Sequence, residues 1–183
     1  MKNVESAKLY AKEKHKGQFR KDGTTPYFTH LESVVSRVKG LGVVDEDILC
    51  AGWLHDTLED TDTTFDELIE RFGQKTATLV YSVSKNEDLP KKERELQYTK
   101  LLKDAPFEAK LVKLCDISAN LKDLENSGMS KTKKKKTVSK KLHYLRMIKG
   151  DISEHLEEYP KISDLINGIN QVAKEFHQRP VSI

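Results

Sequence analysis

The segment GWLHDTLEDTDT, at positions 52–63, brings together residue types that could do chemistry. It contains the doublet His55-Asp56 and, shortly after it, the acidic doublet Glu59-Asp60. An imidazole beside a carboxylate can bind a divalent metal ion, and further carboxylates can orient a water molecule and accept its proton. Taken alone, the first doublet also suits a structural role, in which Asp56 caps a helix and His55 is half exposed. Taken alone, the second doublet also suits a solvated acidic turn.

Two residues elsewhere in the chain extend the first doublet to a possible set of four metal ligands. His30 lies where a second helix is predicted to begin, and Asp116 follows an apolar run in LVKLCDISANLKDL. A buried carboxylate such as Asp116 is costly unless it is paired or bound to a cation. The order His, His-Asp, Asp over three separate segments therefore favours a metal site. Mixed imidazole and carboxylate ligands suit Mn²⁺, Fe²⁺ or Zn²⁺.

The elements that must position these residues are helices. Apolar residues recur at helical spacing around residues 4–11, 31–38, 48–53 and 65–72, and further helices are predicted at about 75–84, 91–104, 107–124, 132–150 and 162–177. Thr64 and Glu67 have the form of a capping box, and Gly73 fits the end of the helix that they open. No run of alternating β-branched residues predicts a strand. The sequence therefore predicts an all-α fold with short loops.

The composition fits one globular domain of 183 residues, with 37% apolar and 33% charged residues. A net charge of +3 does not demand a nucleic-acid partner, and no apolar stretch approaches the roughly 20 residues that span a bilayer. The N-terminus lacks the apolar region of a signal peptide. Cys50 and Cys115 lie in apolar, helix-like contexts, which favours buried thiols over a disulfide. Together these features predict a cytoplasmic protein without nucleic-acid or membrane partners.

Three segments in this order resemble one family: GQFRKDGTTPYFTH, GWLHDTLEDTDTTFDELIERFG and KLVKLCDISANLKDL. They are similar to the HD-domain hydrolases of the RelA/SpoT family, which remove the 3′-pyrophosphate of ppGpp and pppGpp. The likeness runs over about residues 4–150, and the chain is too short for the synthetase and regulatory domains of long family members. The resemblance therefore implies a small stand-alone alarmone hydrolase, an HD-type helical bundle over residues 1–183 with C-terminal helices in 151–183.

The resemblance also implies catalytic roles. One Mn²⁺ would be held by His30, His55, Asp56 and Asp116. Glu59 and Asp60 match the acidic pair of the family that orients and activates the attacking water. Pyrophosphate and GDP or GTP would be the products.

Substrate contacts follow from the same likeness. Arg20 and Lys21 match a basic pair that contacts the base and the phosphates, and Arg can stack on a purine. Asn120 lies four residues after Asp116, on the same helix face, and would face the ribose and phosphate region. Tyr144 and Lys91 are further candidates for substrate contact. Tyr144 could equally pack in the core, and Lys91 could equally be solvated.

Some alternatives remain open at this point. The lysine-rich stretch KTKKKKTVSKK, residues 131–141, has no interleaved aromatic residue, so that a solvated helix start is favoured over nucleic-acid binding. Its lysines could also steer a polyanionic nucleotide toward the cleft. For function, the alternatives are a phosphatase acting on a related nucleotide such as NADPH, or a catalytically idle module that binds alarmone.

Overall fold

The computed structural model describes residues 3–183, in which the secondary structure consists of α-helices. The helices are α1 (Val4–Lys14), α2 (Phe28–Gly40), α3 (Glu46–Leu54), α4 (Thr57–Asp60), α5 (Phe65–Val83), α6 (Lys91–Asp104), α7 (Phe107–Lys122), α8 (Lys131–Glu154) and α9 (Ile162–Glu175). In this part of the chain the extended backbone pairs only at an isolated bridge between Phe19 and Pro26. The predicted all-α fold is confirmed, and the predicted bounds of α6 agree with those observed.

Helix α7 lies at the centre of the bundle and packs against α2, α3, α5, α8 and α9. Nearly every residue from Ala109 to Leu121 is buried. A helix covered on all sides is apolar around its whole circumference, which explains its lack of a polar face. Lys110, Lys113 and Asp116 are the charged exceptions among its buried residues. Because burying a charge is costly unless it is paired, these three residues need partners close by.

Helix α9 belongs to the same hydrophobic core as the rest of the described chain. It packs against α7 and α8, and Ile162, Ile166 and Ile169 are buried in the common apolar cluster. Helix α8 continues past residue 150 without interruption. The residues after 150 therefore pack as part of the bundle that contains α1 to α7.

Side-chain caps fix where several helices begin. Asn3 accepts from the backbone N–H of Ser6, and Asp45 accepts from those of Asp47 and Ile48. Thr64 accepts from the N–H of Glu67, which is one of the two hydrogen bonds of the predicted capping box, while the carboxylate of Glu67 accepts from Arg71. These contacts satisfy donors that the first helical turn leaves without partners.

Gly73 was predicted to end the helix that Thr64 opens, with a further helix from about residue 75, and the helical geometry breaks at this glycine. Its backbone angles, φ 84° and ψ 163°, are not helical, yet α5 resumes directly after it and continues to Val83. A positive φ of this size is accessible to glycine because it has no Cβ. The residue interrupts the helical geometry as expected, but the two helical segments remain joined as one kinked element.

The loop between α1 and α2 is an ordered hairpin-like turn. Oδ1 of Asp22 accepts 2.9 Å hydrogen bonds from the backbone N–H groups of Thr24 and Thr25. The N–H of Arg20 donates 2.7 Å to the carbonyl of Thr25, and that of Tyr27 donates 2.9 Å to the carbonyl of Gln18. These bonds give the loop a defined conformation, so that it can present side chains toward the neighbouring helices.

The structure also bears on two predictions made from composition. Cys50 and Cys115 are both buried, and no disulfide joins them in residues 3–183. This agrees with the predicted buried thiols. Among the described helices, none combines the length and the apolar character that crossing a lipid bilayer requires.

Candidate active site

Four side chains converge where α2, the end of α3 and α7 meet. Nε2 of His30 lies 3.2 Å from Oδ1 of Asp116 and 3.6 Å from Oδ2 of Asp56. Nε2 of His55 lies 2.9 Å from Oδ2 of Asp56 and 3.8 Å from Oδ1 of Asp116. The potential ligand atoms of His30, His55 and Asp56 all lie within 4.8 Å of one another. The four residues of the predicted metal set are thus neighbours, and we call them the ligand cluster.

The ring of His55 is oriented to bind a cation. Its Nδ1 lies 2.9 Å from the carbonyl oxygen of Gly52, and because a carbonyl only accepts, Nδ1 is the donor. Nε2 therefore faces the carboxylates of Asp56 and Asp116, 2.9 Å from Oδ2 of Asp56. Positive charge must lie between this nitrogen and the two anions, either as a proton on Nε2 or as a bound cation. The donor set fits a divalent ion, to which the unprotonated Nε2 would offer its lone pair.

The electrostatics of the two histidines agree with this assignment. Burial alone would lower the pKa of His55, but the carboxylates of Asp56 and Asp116 outweigh burial and raise this pKa to about 10. Without a metal ion, the carboxylates would therefore hold a proton on His55. For His30, burial prevails and lowers the pKa below its ordinary value. The imidazole of His30 is neutral at pH 7 and can act as a ligand.

Asp116 is a buried carboxylate that receives three polar contacts besides the histidines. Its Oδ2 lies 2.8 Å from Nζ of Lys113 and 3.2 Å from Nζ of Lys141. Its Oδ1 accepts a hydrogen bond from the side-chain amide of Asn120. Burial opposes ionisation, but the two lysines outweigh it and hold the pKa of Asp116 well below its ordinary value. Asp116 is therefore ionised, and Asn120 shares its helix face as expected.

The acidic doublet lies on the short helix α4, next to the ligand cluster. Oε2 of Glu59 accepts a 3.0 Å hydrogen bond from the backbone N–H of Lys85, whose Nζ lies 3.4 Å from Oε1. Oδ2 of Asp60 accepts a 3.1 Å hydrogen bond from the phenol of Tyr27. Burial and the negative charges of Asp56 and Glu59 raise the pKa of Asp60 to about 6. Glu59 is thus held in position, while Asp60 is suited to accept a proton near neutral pH.

A cavity of about 290 Å³ opens over these residues, and we call it the metal cavity. It is lined by Phe19, Arg20, Lys21, Tyr27, Asp56, Glu59, Asp60, Lys85, Lys113, Asp116, Asn120 and Lys141. The predicted substrate residues Arg20, Lys21 and Asn120 are therefore on its wall. Nη2 of Arg20 lies 3.0 Å from Oδ1 of Asn120 and 3.1 Å from Oδ2 of Asp123. These two contacts hold the guanidinium group of Arg20 in place at the wall of the metal cavity.

Two predicted substrate residues lie elsewhere. Tyr144 is buried, its phenol donates a 2.5 Å hydrogen bond to Glu95, and its ring packs edge-on against Tyr98. Lys91 is exposed at the first residue of α6. Neither residue is among those that line the metal cavity. Tyr144 instead lies beneath the lysines, with Nζ of Lys85 5.5 Å from the centre of its ring.

A family model described as HD domain matches residues 7–145, which is more than half of the chain. The chain belongs to the HD domain family. The matched range contains the ligand cluster and the acidic doublet, so that the HD assignment covers the part of the chain that builds the site.

This HD domain has close relatives of known name. The guanosine-3′,5′-bis(diphosphate) 3′-pyrophosphohydrolase MESH1 of Danio rerio is 44% identical over 117 residues, which are 63% of this chain and 65% of that protein. A guanosine-3′,5′-bis(diphosphate) 3′-pyrophosphohydrolase of Aquifex aeolicus is 31% identical over 97% of this chain and 28% of its own length. A solved structure, described as a metazoan ortholog of SpoT that hydrolyses ppGpp, matches with a TM-score of 0.81 and 26% identity over 94% of each chain. The HD-domain fold thus extends over nearly the whole chain.

Sequence reasoning missed several residues of this HD site. Tyr27 donates a 2.6 Å hydrogen bond to Oδ2 of Asp56, and the ring of His15 stacks on it at 4.8 Å. In the sequence, the position of Tyr27 in the loop before His30 was only a weak indication of a role in the site. Lys113 had a signal in its sequence, since it precedes Asp116 by one helical turn within an apolar run. Lys141 comes from α8 and Lys85 from the segment after α5, and nothing in the local sequence indicates their contacts with Asp116 and Glu59.

Proposed function

We propose that this HD domain hydrolyses the 3′-pyrophosphate of ppGpp and pppGpp. A water oxygen forms a bond to the phosphorus nearest the ribose, and the bond between that phosphorus and O3′ breaks. The products are pyrophosphate and GDP or GTP. The observation that carries the proposal is the placement of Glu59 and Asp60 beside the ligand cluster, in a cavity lined by lysines. The names of the relatives from Danio rerio and Aquifex aeolicus describe the same reaction.

The ligand cluster would hold one divalent ion, which we assign as Mn²⁺. When bound, such an ion lowers the pKa of water and offsets negative charge on phosphate. Two carboxylates among four ligands favour this harder ion. Lys113 and Lys141 keep Asp116 ionised, and the bond from His55 to the carbonyl of Gly52 directs Nε2 toward the cluster. These supporting contacts orient the ligands before an ion arrives.

Asp60 is assigned as the group that accepts the proton of the attacking water. In the absence of an ion, burial and the charges of Asp56 and Glu59 raise its pKa to about 6, and a carboxylate in this place can take up a proton. Tyr27 orients its carboxylate, and the phenol remains neutral because burial and the charges of Asp56 and Asp60 raise the pKa of Tyr27. Glu59, fixed by Lys85, is assigned to orient the water.

The 3′-pyrophosphate under attack and the leaving oxygen O3′ need positive charge on the protein side. Lys85, Lys113 and Lys141 line the metal cavity, and their ammonium groups would attract the negative charge that develops during cleavage. Arg20 and Lys21 lie at the same cavity and are assigned to the nucleotide, with Asn120 facing its ribose. Asp60 then gives the proton that it took from the water to the leaving oxygen O3′, so that the protons of the reaction balance.

The product assay tests this proposal. The protein is stripped of metal with a chelator, which is then removed, and ppGpp is added with and without Mn²⁺. We expect GDP and pyrophosphate in equal amounts with Mn²⁺, and neither product without it. The variant Asp62→Asn is a control for the loss of an acidic side chain from this segment, and it should form the same products as the wild type. Asp62 is exposed and contacts Lys14.

Other outcomes would replace the proposal. Release of phosphate from NADPH, without cleavage of ppGpp, would establish the related phosphatase. Tight binding of ppGpp with no product at any metal concentration would establish an alarmone-binding module. We further propose a cytoplasmic location, which fits two buried cysteines that are not joined by a disulfide in the described chain.

A further inference from the structure

Two more cavities continue from the metal cavity along the surface. The next one, which we call the middle cavity, has a volume of about 290 Å³ and shares Arg20, Lys21 and Asn120 with the metal cavity. An outer cavity of about 530 Å³ shares Lys21, Met129 and Thr137 with the middle one. The three cavities therefore form one continuous path from the ligand cluster to the start of α8. A ligand larger than a pyrophosphate group can occupy more than one of them.

The outer cavity is lined by cations without counterions. Its lining consists of Met129, Thr137 and three lysines, Lys21, Lys133 and Lys136. In residues 3–183, no carboxylate lies within ion-pair distance of any of these three lysines. The nearby ion pairs are made by other cations, Arg20, Lys140 and Lys141. Burial and the like charges of Arg20 and Lys140 lower the pKa of Lys21. Positive charge is concentrated here, and an anion would relieve the repulsion.

The lysines of the metal cavity differ because they are paired. Lys85 lies 3.4 Å from Glu59, and Lys113 and Lys141 lie 2.8 and 3.2 Å from Asp116. In the described chain, the lysines that line the outer cavity have no such carboxylate partner.

Helix α8 carries these lysines along one face. Lys133, Lys136 and Lys140 follow one another at helical spacing and span about 10 Å of the helix axis. The outer cavity lies at the N-terminal end of α8, which Ser130 caps and where the helix dipole adds partial positive charge. Lys131 and Lys135 lie on the opposite face by the same periodicity, and both are exposed.

We propose that Lys21, Lys133 and Lys136 form a second anion subsite, which binds the phosphate chain at the 5′ end of the nucleotide while the metal cavity holds the 3′ chain. This inference rests on the proposed function, because it assumes a nucleotide with phosphate chains at both positions. The middle cavity then accommodates the nucleoside between the two chains. The subsite makes affinity depend on the length of the 5′ chain, because a longer chain reaches more of the lysines.

The kinetic test compares substrates that differ only at the 5′ end: guanosine 3′-diphosphates carrying a 5′-monophosphate, 5′-diphosphate or 5′-triphosphate. The double variant Lys133→Gln, Lys136→Gln is compared with the matched control Lys131→Gln, Lys135→Gln, which removes the same charge from the opposite face. We expect the first variant to raise KM for the 5′-triphosphate about fivefold, with a smaller effect on the 5′-monophosphate and unchanged kcat. The control should resemble the wild type for all three substrates.

A second measurement does not depend on turnover. Inorganic tripolyphosphate is added to metal-free protein, and the methyl NMR signal of Met129 is followed, with that of Met147 as internal reference. We expect a saturable shift of Met129 in the wild type and the control, and weaker binding in the Lys133→Gln, Lys136→Gln variant.

The outcomes separate the two proposals. An equal rise in KM for all three substrates would mean that the lysines act only through their general field, and the subsite would be rejected. An unperturbed Met129 signal would reject it as well. Failure of the wild type to cleave any substrate would overturn the proposed function, while a saturable Met129 shift would still support the anion subsite.

Discussion

The phenol of Tyr27 donates a 2.6 Å hydrogen bond to Oδ2 of Asp56, and the same oxygen of Tyr27 lies 3.1 Å from Oδ2 of Asp60. One hydroxyl group thus connects a residue of the ligand cluster to the assigned proton acceptor. Because the hydroxyl has one hydrogen, it can donate to one carboxylate at a time. Tyr27 therefore fixes the separation of two anions that would otherwise repel each other.

Tyr27→Phe should impair turnover without unfolding the protein. The ring would keep its stacking with His15, while both carboxylates would lose a donor. We expect kcat to fall by about 10- to 100-fold, the range typical of residues that support metal ligands. Steady-state kinetics and metal analysis measure the effect, and Tyr81→Phe, at a half-exposed tyrosine of α5, is the matched control. A kcat equal to that of the wild type would exclude a positioning role for the hydroxyl.

Asp60→Asn should abolish catalysis and preserve metal binding. The amide has nearly the same shape but cannot accept the proton of the attacking water, so that we expect kcat to fall by about 10²- to 10⁴-fold. Metal content, measured by atomic emission, should remain near one equivalent because Asp60 is not in the ligand cluster. Loss of the metal in this variant would show that Asp60 is a ligand, and the assignment of roles would be wrong.

The ionisation of Asp60 should respond to the metal. Burial and the neighbouring charges of Asp56 and Glu59 raise the pKa of Asp60 to about 6 in the absence of an ion. A cation in the ligand cluster favours the charged form of nearby carboxylates, and therefore lowers this pKa. Carboxyl ¹³C NMR of metal-free protein should show a group titrating near pH 6, which moves to lower pH when Mg²⁺ or Zn²⁺ is added as a diamagnetic ion. At pH 6, metal binding should release protons from both His55 and Asp60, and at pH 8, where Asp60 is already ionised, from His55 alone; a pH-stat can measure the difference.

Asp45→Ala should lower stability and alter its pH dependence. Asp45 accepts from the backbone N–H groups of Asp47 and Ile48 at the start of α3 and pairs with Lys75 at 3.0 Å. Loss of such a cap costs about 0.5–2 kcal/mol of the free energy of unfolding. Burial opposes ionisation of Asp45, but Lys75 and the two N–H groups outweigh it and hold its pKa below the ordinary 3.8. A group with a lowered pKa stabilises the folded state above its unfolded pKa, and the contribution is lost as the pH falls through the folded value.

Urea unfolding of the wild type and Asp45→Ala from pH 7 to pH 3 checks this expectation. The difference in free energy should be largest at pH 7 and should shrink toward pH 3. Lys75→Met is the companion variant, because it removes the exposed ion pair and leaves the cap, and should cost less than Asp45→Ala. A difference that grows as the pH falls would contradict the lowered pKa.

The sequence predicted the helices well where local signals determine them. Apolar periodicity placed α6 and α7, and the hydroxyl of Thr64 marked the start of α5. Gly73 marked the break in α5, since its φ of 84° is one that glycine adopts readily. Helix α8 was predicted too short, since its last turns are held by tertiary packing of residues such as Ile152.

The candidate site likewise contains residues that the sequence predicted and residues whose positions depend on tertiary packing. The ligand cluster was predicted because histidine and aspartate in a fixed order over three segments form a recognisable pattern, and family resemblance strengthened it. The positions of Lys85 and Lys141 depend on how α5 and α8 pack, and no local pattern encodes this. The place of Tyr144 depends on packing in the same way: its hydroxyl reaches Glu95 of α6, a residue 49 positions away in the chain.

Helix α4 has only four residues, and a helix of this length has no stability of its own. Glu59 depends on Lys85, the second residue after α5, and Asp60 depends on Tyr27, which precedes α2. The stretch HDTLED therefore cannot keep its active conformation when it is moved alone to another protein. A designer who grafts it onto another bundle must also transplant the α1–α2 loop and the junction after α5, or the two carboxylates will lose their orientation.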